Sequence, residues 1–124
     1  MSTSNEKKSH LRCVQHGDYT VVTILAERLL DEATIQLIGD ELFDLVENKG
    51  RNHLILNFAH VKYLSSGALG KLISLNKKVK ESGGRLLLCS IGKEIYEVFK
   101  ITKLNKYFEI ETDELTALRA VGAG

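Results

Sequence analysis

Two adjacent hydroxyl groups, those of Ser65 and Ser66, stand where an apolar stretch ends and a helical pattern begins; residues 61–72 read VKYLSSGALGKL. A hydroxyl at a helix start accepts a hydrogen bond from an unpaired N–H group of the first turn, and one serine suffices for that. The other hydroxyl is then available to receive a phosphate, which the positive end of the helix dipole tolerates. Phosphorylation adds a charge of about −1.5 to −2 at pH 7, which favours a regulatory switch. Helix capping alone is the simpler alternative.

The same segment lacks the spacing of two catalytic motifs. A P-loop reads G-x-x-x-x-G-K-[ST], and although Gly70 and Lys71 are present, the first glycine position is Ser65 and Leu72 follows the lysine. A serine hydrolase has a glycine two residues before its nucleophile, and neither serine has one. An enzyme or nucleotide-binding protein stays an alternative, but the sequence predicts no enzymatic activity and no cofactor.

The other residues that often do chemistry form no motif. Histidines occur at His10, His16, His53 and His60, and we expect them to be ordinary surface or core residues. Cys13 and Cys89 lie far apart, each among apolar residues, without a CxxC or a Cys/His cluster. We therefore expect two buried, reduced thiols and no metal site.

The composition indicates one globular domain. The chain has 124 residues, of which 44% are hydrophobic and 27% charged, and its net charge of +1 argues against a general nucleic-acid binder. It contains no apolar run of about 20 residues and its first ten residues lack a signal-peptide core, so we expect a cytoplasmic protein without membrane insertion. We expect residues 1–9 to be a flexible tail, 10–121 the domain, and 122–124 a second tail.

The apolar pattern predicts the element order ββαβαβαβα. LRCV and YTVVTIL, separated by QHGD, predict a hairpin, and helical spacing after Asp31 predicts a first helix that Asp31 caps and Gly50 ends. The runs over 53–58 and 85–91 are typical of strands covered on both faces. The other predicted elements are a helix from Ser65 or Ser66 to 82–84, a helix over 93–101, a strand over 107–110 and a helix over 112–121 with a threonine cap. This order indicates an α/β sheet that is mostly parallel after its hairpin.

The ordered set of motifs resembles the STAS domain in its stand-alone form, the anti-sigma-factor antagonist. The resemblance covers about residues 10–120. The matching features are Asn57 at a strand end, Tyr63, the run Ser65 to Gly70, the pair Gly83-Gly84, the strand RLLLCSI, the pair Val98-Phe99, Leu104 and Phe108. It implies a small mixed sheet with about four helices largely on one side.

The resemblance also implies a mechanism without catalysis by this chain. In the family, an anti-sigma-factor serine kinase phosphorylates the first serine of the pair, which here is Ser65, with Ser66 as the cap and Gly67 allowing close backbone approach. The unphosphorylated antagonist binds the kinase and frees a sigma factor, phosphorylation releases it, and a phosphatase resets it. Ser66 is the second choice for the acceptor. The expected partner-binding residues are Asp31, Leu64, Ser65, Ser66, Gly67, Ala68 and Lys71.

One position departs from the family pattern. The family has Asp before the acceptor serine, and this chain has Leu64; Ala68 in place of the usual Leu is a smaller change. An apolar side chain there, if it points outward, favours a contact role. The alternative function is therefore a constitutive STAS scaffold, or a subunit of a signalling or lipid-transport complex, without phosphorylation.

Overall fold

Seven strands and five helices are found in residues 10–123, the part of the chain that the computed structural model describes. The predicted tail over residues 1–9 lies outside this part. The strands are β1 (Leu11–His16), β2 (Tyr19–Ile24), β3 (Arg28–Leu29), β4 (His53–Asn57), β5 (Tyr63–Leu64), β6 (Arg85–Cys89) and β7 (Glu109–Glu111). The helices are α1 (Glu32–Glu47), α2 (Ser66–Glu81), α3 (Lys93–Ile101), α4 (Leu104–Tyr107) and α5 (Glu114–Ala120).

The main sheet has five strands in the order β1-β2-β4-β6-β7. Only β1 and β2 pair antiparallel, and the neighbours from β2 to β7 are all parallel. The hairpin closes through Gly17 and Asp18 between the paired residues His16 and Tyr19. Gly17 has φ +59°, the conformation that the first loop residue of a type II′ turn requires. The predicted hairpin and parallel sheet are confirmed.

The sheet separates two apolar clusters. Leu54 and Leu56 of β4 belong to the larger cluster, to which α1, α2 and α3 contribute, and Leu104 of α4 packs against it. Ile55 belongs to the smaller cluster, which α5 covers with Ala117. All three β4 residues are fully buried, as expected of a strand covered on both faces. Four helices therefore lie on one side of the sheet and α5 on the other.

Two short strands and one helix were absent from the sequence prediction. β3 and β5 have two residues each and pair parallel as a separate small sheet. The run 107–110 was predicted as a strand, but Tyr107 ends α4 and β7 starts only at Glu109. Lys103, with φ +62°, redirects the chain from α3 into α4 and so shifts the last strand. Non-glycine residues rarely adopt this conformation, and nothing in the sequence indicates it.

Two further predictions were wrong. The cap of α5 is Asp113, not a threonine: its carboxylate accepts a hydrogen bond from the Thr116 N–H at 2.8 Å. Cys13 is exposed: it lies on the edge strand β1, where residues 12–15 are all exposed, so neither face of the strand is covered there. Cys89 is buried as expected, and burial raises the pKa of its thiol to about 11. In addition, Ala123, within the segment expected to be a tail, packs against the smaller apolar cluster.

Because aspartate carboxylates cap two of the helices, we expect the fold to lose stability at low pH. The N–H group of Thr116 lowers the pKa of Asp113 in the fold, and that of Thr34 lowers the pKa of Asp31. A depressed folded-state pKa stabilises the fold above the unfolded-state value of about 3.9, and this contribution is lost as pH falls through the folded-state pKa. Asp113→Asn keeps a capping oxygen without the titration. Its free energy of unfolding in urea should therefore fall less than that of the wild type between pH 5 and strong acid; equal losses would contradict this account.

Candidate docking site at the start of helix α2

The small sheet places the starts of α1 and α2 side by side. β3 leads into α1 and β5 leads into α2, and the two strands pair in parallel with Arg28 opposite Tyr63 and Leu29 opposite Leu64. The Ser65 N–H continues this pairing by donating to the Leu29 carbonyl at 3.0 Å. The predicted partner residue Asp31 therefore lies near the serine pair through a strand pairing that is too short to show in the sequence.

The segment from β4 to the serines is held by the buried Asn57. Its side-chain oxygen accepts from the Ala59 N–H at 2.8 Å, and its side-chain nitrogen donates to Glu114 of α5 at 2.9 Å. The Lys62 N–H donates to the Glu27 carbonyl at 2.8 Å. These bonds tie the loop after β4 to α5 on one side and to the β3 segment on the other, which fixes the position of β5.

The structure changes one of the roles that the resemblance implies for the two serines, that of the helix cap. Ser65, not Ser66, is the cap of α2: its Oγ accepts from the Ala68 N–H at 3.2 Å, and its backbone is extended (φ −91°, ψ 168°). Ser66 is the first helical residue, exposed, and its hydroxyl makes no hydrogen bond within residues 10–123. Which serine is the cap depends on where the backbone becomes helical, so the residue types alone do not decide it. Ser65 is half-buried, and its oxygen keeps a lone pair after accepting one bond.

Two of the expected partner-binding side chains face inward. Leu64 is half-buried and packs against the larger apolar cluster, so it does not add an outward apolar group to the loop. Ala68 is only 4% exposed, because it lies one turn after the cap on the side of α2 that faces the core. Its side chain is therefore not part of the exposed surface.

The outer face of the small sheet is formed by residues that the sequence analysis did not include in the partner-binding set. Leu29 and Leu64 point to the core, so Arg28 and Tyr63 point outward. The Arg28 guanidinium carbon lies 4.7 Å from the centre of the Tyr63 ring, which is 47% exposed. Leu30 is 42% exposed. The alternation of these residues with the inward-facing Leu29 and Leu64 could have indicated this face in the sequence, but strands of two residues are too short to show a recognisable period.

Lys71 lies between α1 and α2. A Cβ atom on Gly39 of α1 would approach the Lys71 side chain to 3.1 Å, so the glycine lets this lysine lie across α1. The Lys71 Nζ is 5.9 Å from the Phe43 ring centre. Lys71 is thus half-buried, with its aliphatic part against Gly39 and its ammonium group near Phe43.

Gly67 is not required by the fold of the isolated chain. Its φ is not positive, and an added Cβ would meet only Ser65 Oγ at 3.6 Å and Ile35 Cδ1 at 3.9 Å, which are ordinary contacts. Glycine in a helix costs roughly 0.5–1 kcal/mol relative to alanine. The absence of a side chain at Gly67, beside Ser65, leaves the backbone at the start of α2 open to close approach by another molecule.

Residues 10–123 show neither a metal-binding cluster nor a membrane-spanning helix. No group of three or more His, Cys, Asp or Glu side chains there is arranged to hold a metal ion. Within the same residues, every helix is too short or too polar to span a bilayer.

The sequence model of the STAS domain matches residues 10–117. The chain belongs to the STAS domain family. A relative from Thermotoga maritima, provisionally named an anti-sigma factor antagonist, is 28% identical to this STAS domain over 90 residues, which cover 73% of the chain and 80% of the relative. The resemblance noted in the sequence is thereby confirmed, and so is the α/β fold class.

Solved structures agree with this assignment. A Thermotoga maritima crystal structure, also provisionally named as an anti-sigma factor antagonist, has a TM-score of 0.79 at 25% identity and covers 90% of this STAS domain and 94% of its own chain. The Bacillus cell fate determinant SpoIIAA in its phosphorylated form has a TM-score of 0.67 at 18% identity and covers 89% and 96%. At that identity the second likeness shows the fold alone.

Proposed function

We propose that this STAS domain is an anti-sigma factor antagonist that docks on an anti-sigma-factor kinase and is released when Ser65 is phosphorylated. The observation that carries the proposal is the placement of Ser65, a helix cap beside the exposed residues Leu30, Tyr63 and Gly67. The names of the relatives support the class of partner, and phosphorylated SpoIIAA shows that a chain of this fold accepts a phosphate.

The proposed switch is a phosphoryl transfer from ATP bound to the kinase. The Ser65 oxygen attacks the γ-phosphorus, the new O–P bond forms as the bond to the β-phosphate oxygen breaks, ADP leaves, and the hydroxyl proton passes to a base on the kinase. A phosphatase restores the serine by adding water and releasing inorganic phosphate. This chain supplies only the nucleophilic oxygen and its position.

The site tolerates the phosphate, whereas the docked complex does not. At the N-terminus of α2 the phosphate meets the positive end of the helix dipole, so the fold is preserved. In a docked complex the same phosphate would lie against the partner, and burying a charge without a matched cation is costly. The unphosphorylated state is thus the binding state.

The direct test is reconstitution with the partner kinase. A tagged copy is used to isolate a serine kinase from the cells that make this protein, and the affinity of the purified pair is measured by calorimetry. Adding Mg·ATP should dissociate the wild-type complex and leave a Ser65→Ala complex intact. A wild-type complex that survives complete phosphorylation, or that is never phosphorylated, supports the constitutive subunit instead.

Replacing Gly67 by alanine should separate docking from stability. We expect Gly67→Ala to leave stability unchanged or raise it by up to about 1 kcal/mol, since the methyl group meets no close atom in the monomer. We expect it to weaken kinase docking about tenfold, because the methyl group prevents close approach. Gly70→Ala is the matched control on the same helix and has open space at its Cβ. Docking by Gly67→Ala that equals docking by this control would rule out the contact.

A further inference from the structure

The outer face of the small sheet brings a cation next to the proposed acceptor. Arg28 and Tyr63 are opposite each other on this face, and Ser65 follows Tyr63 two residues later in extended backbone. Residues two apart on a strand point the same way and are about 7 Å apart, within reach of a long side chain on the neighbouring strand. The register therefore places Ser65 diagonally from Arg28.

Arg28 is not committed to another acidic group. It is exposed, its guanidinium stacks on Tyr63 at 4.7 Å, and within residues 10–123 no carboxylate forms an ion pair with it. An exposed cation–π contact is weak, and the five N–H donors of a guanidinium match phosphate oxygens in pairs. Such an arginine can exchange an aromatic ring for a phosphate at little cost.

The charges around Ser65 increase the need for a cation. The Asp31 carboxylate caps the adjacent helix α1, and Glu32 follows it in the first turn. Both would repel a phosphate on Ser65. Lys71 is partly packed against Gly39, with its Nζ near Phe43. Arg28 is the cation that the strand register brings closest to the acceptor.

We propose that Arg28 recognises the phosphate on Ser65 by leaving the Tyr63 ring and forming paired, charge-assisted hydrogen bonds with the phosphate oxygens. The proposal rests on Ser65 being the phosphorylated residue. Phosphorylation then changes the docking surface in two ways, because it adds negative charge and it uncovers the Tyr63 ring. A partner that fits the stacked Arg28 and Tyr63 side chains would then meet a surface with a different charge and a different shape, and would bind more weakly.

The test uses protein with phosphoserine installed at position 65 during translation, so that no kinase is needed. NMR compares the Arg28 Nε–H resonance, the Tyr63 ring protons and the phosphorus titration in the free and phosphorylated proteins. We expect the Arg28 Nε–H resonance to shift downfield and the Tyr63 ring signals to change on phosphorylation. Arg28→Gln should raise the pH at which the phosphate dianion takes up a proton by about half a unit, since a neighbouring cation favours the dianion.

Two variants make the test specific. Arg28→Lys keeps the charge but not the paired geometry, and it should fall between the wild type and Arg28→Gln. Lys62→Gln removes an equal charge one residue from Tyr63 and should leave the phosphate titration unchanged. An unmoved Arg28 resonance together with identical titrations in the wild type and Arg28→Gln would overturn the proposal. Because the phosphoserine is installed directly, that result would contradict the Arg28 contact without contradicting the docking function. Absence of phosphate on Ser65 in cells would instead contradict the docking switch and would not bear on the contact between Arg28 and an installed phosphoserine.

Discussion

Replacing Ser65 with Asp should weaken docking on the anti-sigma-factor kinase at least about 100-fold without unfolding the protein. Asp is as good a helix cap as Ser, so the hydrogen bond from the Ala68 N–H should persist in the variant. Its negative charge at the N-terminus of α2 also suits the helix dipole. The same charge opposes burial against the partner. The effect should therefore appear in the dissociation constant and not in the unfolding midpoint.

Ser74→Asp is the matched control, because Ser74 is exposed on the same helix about two turns away. It should dock as tightly as the wild type. Both variants are compared by calorimetry for binding and by urea unfolding for stability. If Ser65→Asp binds as tightly as Ser74→Asp while remaining folded, a charge at residue 65 is not the switch.

The second large effect is on the fold and concerns Gly84, just before β6. A Cβ atom there would lie 1.8 Å from the carbonyl oxygen of Asn52, an oxygen that accepts the Arg85 N–H at 3.0 Å. Because the obstacle is backbone, the start of β6 must move away from the segment entering β4. We expect Gly84→Ala to lower the free energy of unfolding by about 3 kcal/mol or more.

Urea unfolding followed by circular dichroism measures this loss. Gly70→Ala is the control, since the same methyl group has open space there and should be neutral or stabilising. A Gly84→Ala protein as stable as the wild type would mean that the approach of Asn52 to Gly84 is looser than the structure has it.

Long periodic segments of the fold were predictable from the sequence. The apolar residues whose helical spacing predicts α1 are all buried, namely Ile35, Ile38, Leu42, Leu45 and Val46. α3 begins and ends where its pattern indicated, at Lys93 and Ile101. Every residue of β4 and β6 after the first is buried, as their continuous apolar runs suggest. In each case several residues carry the same signal.

Features that depend on one or two residues were not predictable. The left-handed conformation of Lys103 produces α4, and no residue type there signals it. The pairing of β3 with β5 brings Arg28, Asp31 and Ser65 together, yet four residues in two strands show no pattern. The sequence thus predicted a serine pair at a helix start but not that Arg28 and Tyr63 lie beside it. The residue types left the helix start open between Ser65 and Ser66, and the family resemblance assigned the cap to Ser66; only the backbone shows that the helix begins one residue after Ser65.

The structure also changes what Leu64 means for function. With its side chain packed against the core, Leu64 leaves the outward face to Tyr63 and Ser65, so it gives no added support to a constitutive contact role. The Asp that the family has at this position would have contributed a charge beside the acceptor. In this chain the β3 segment, paired with β5, brings the charged residues Arg28 and Asp31 to this helix start instead.

The most direct test of the switch is the intact mass of the protein purified from its own cells, with fragmentation to place any added phosphoryl group. We predict one phosphoryl group, on Ser65, in part of the population. Phosphate on Ser66 would keep a switch at this helix start but contradict the assignment of the acceptor. A protein that carries no phosphate under any growth condition, including when its partner kinase is overproduced, would contradict the switch itself.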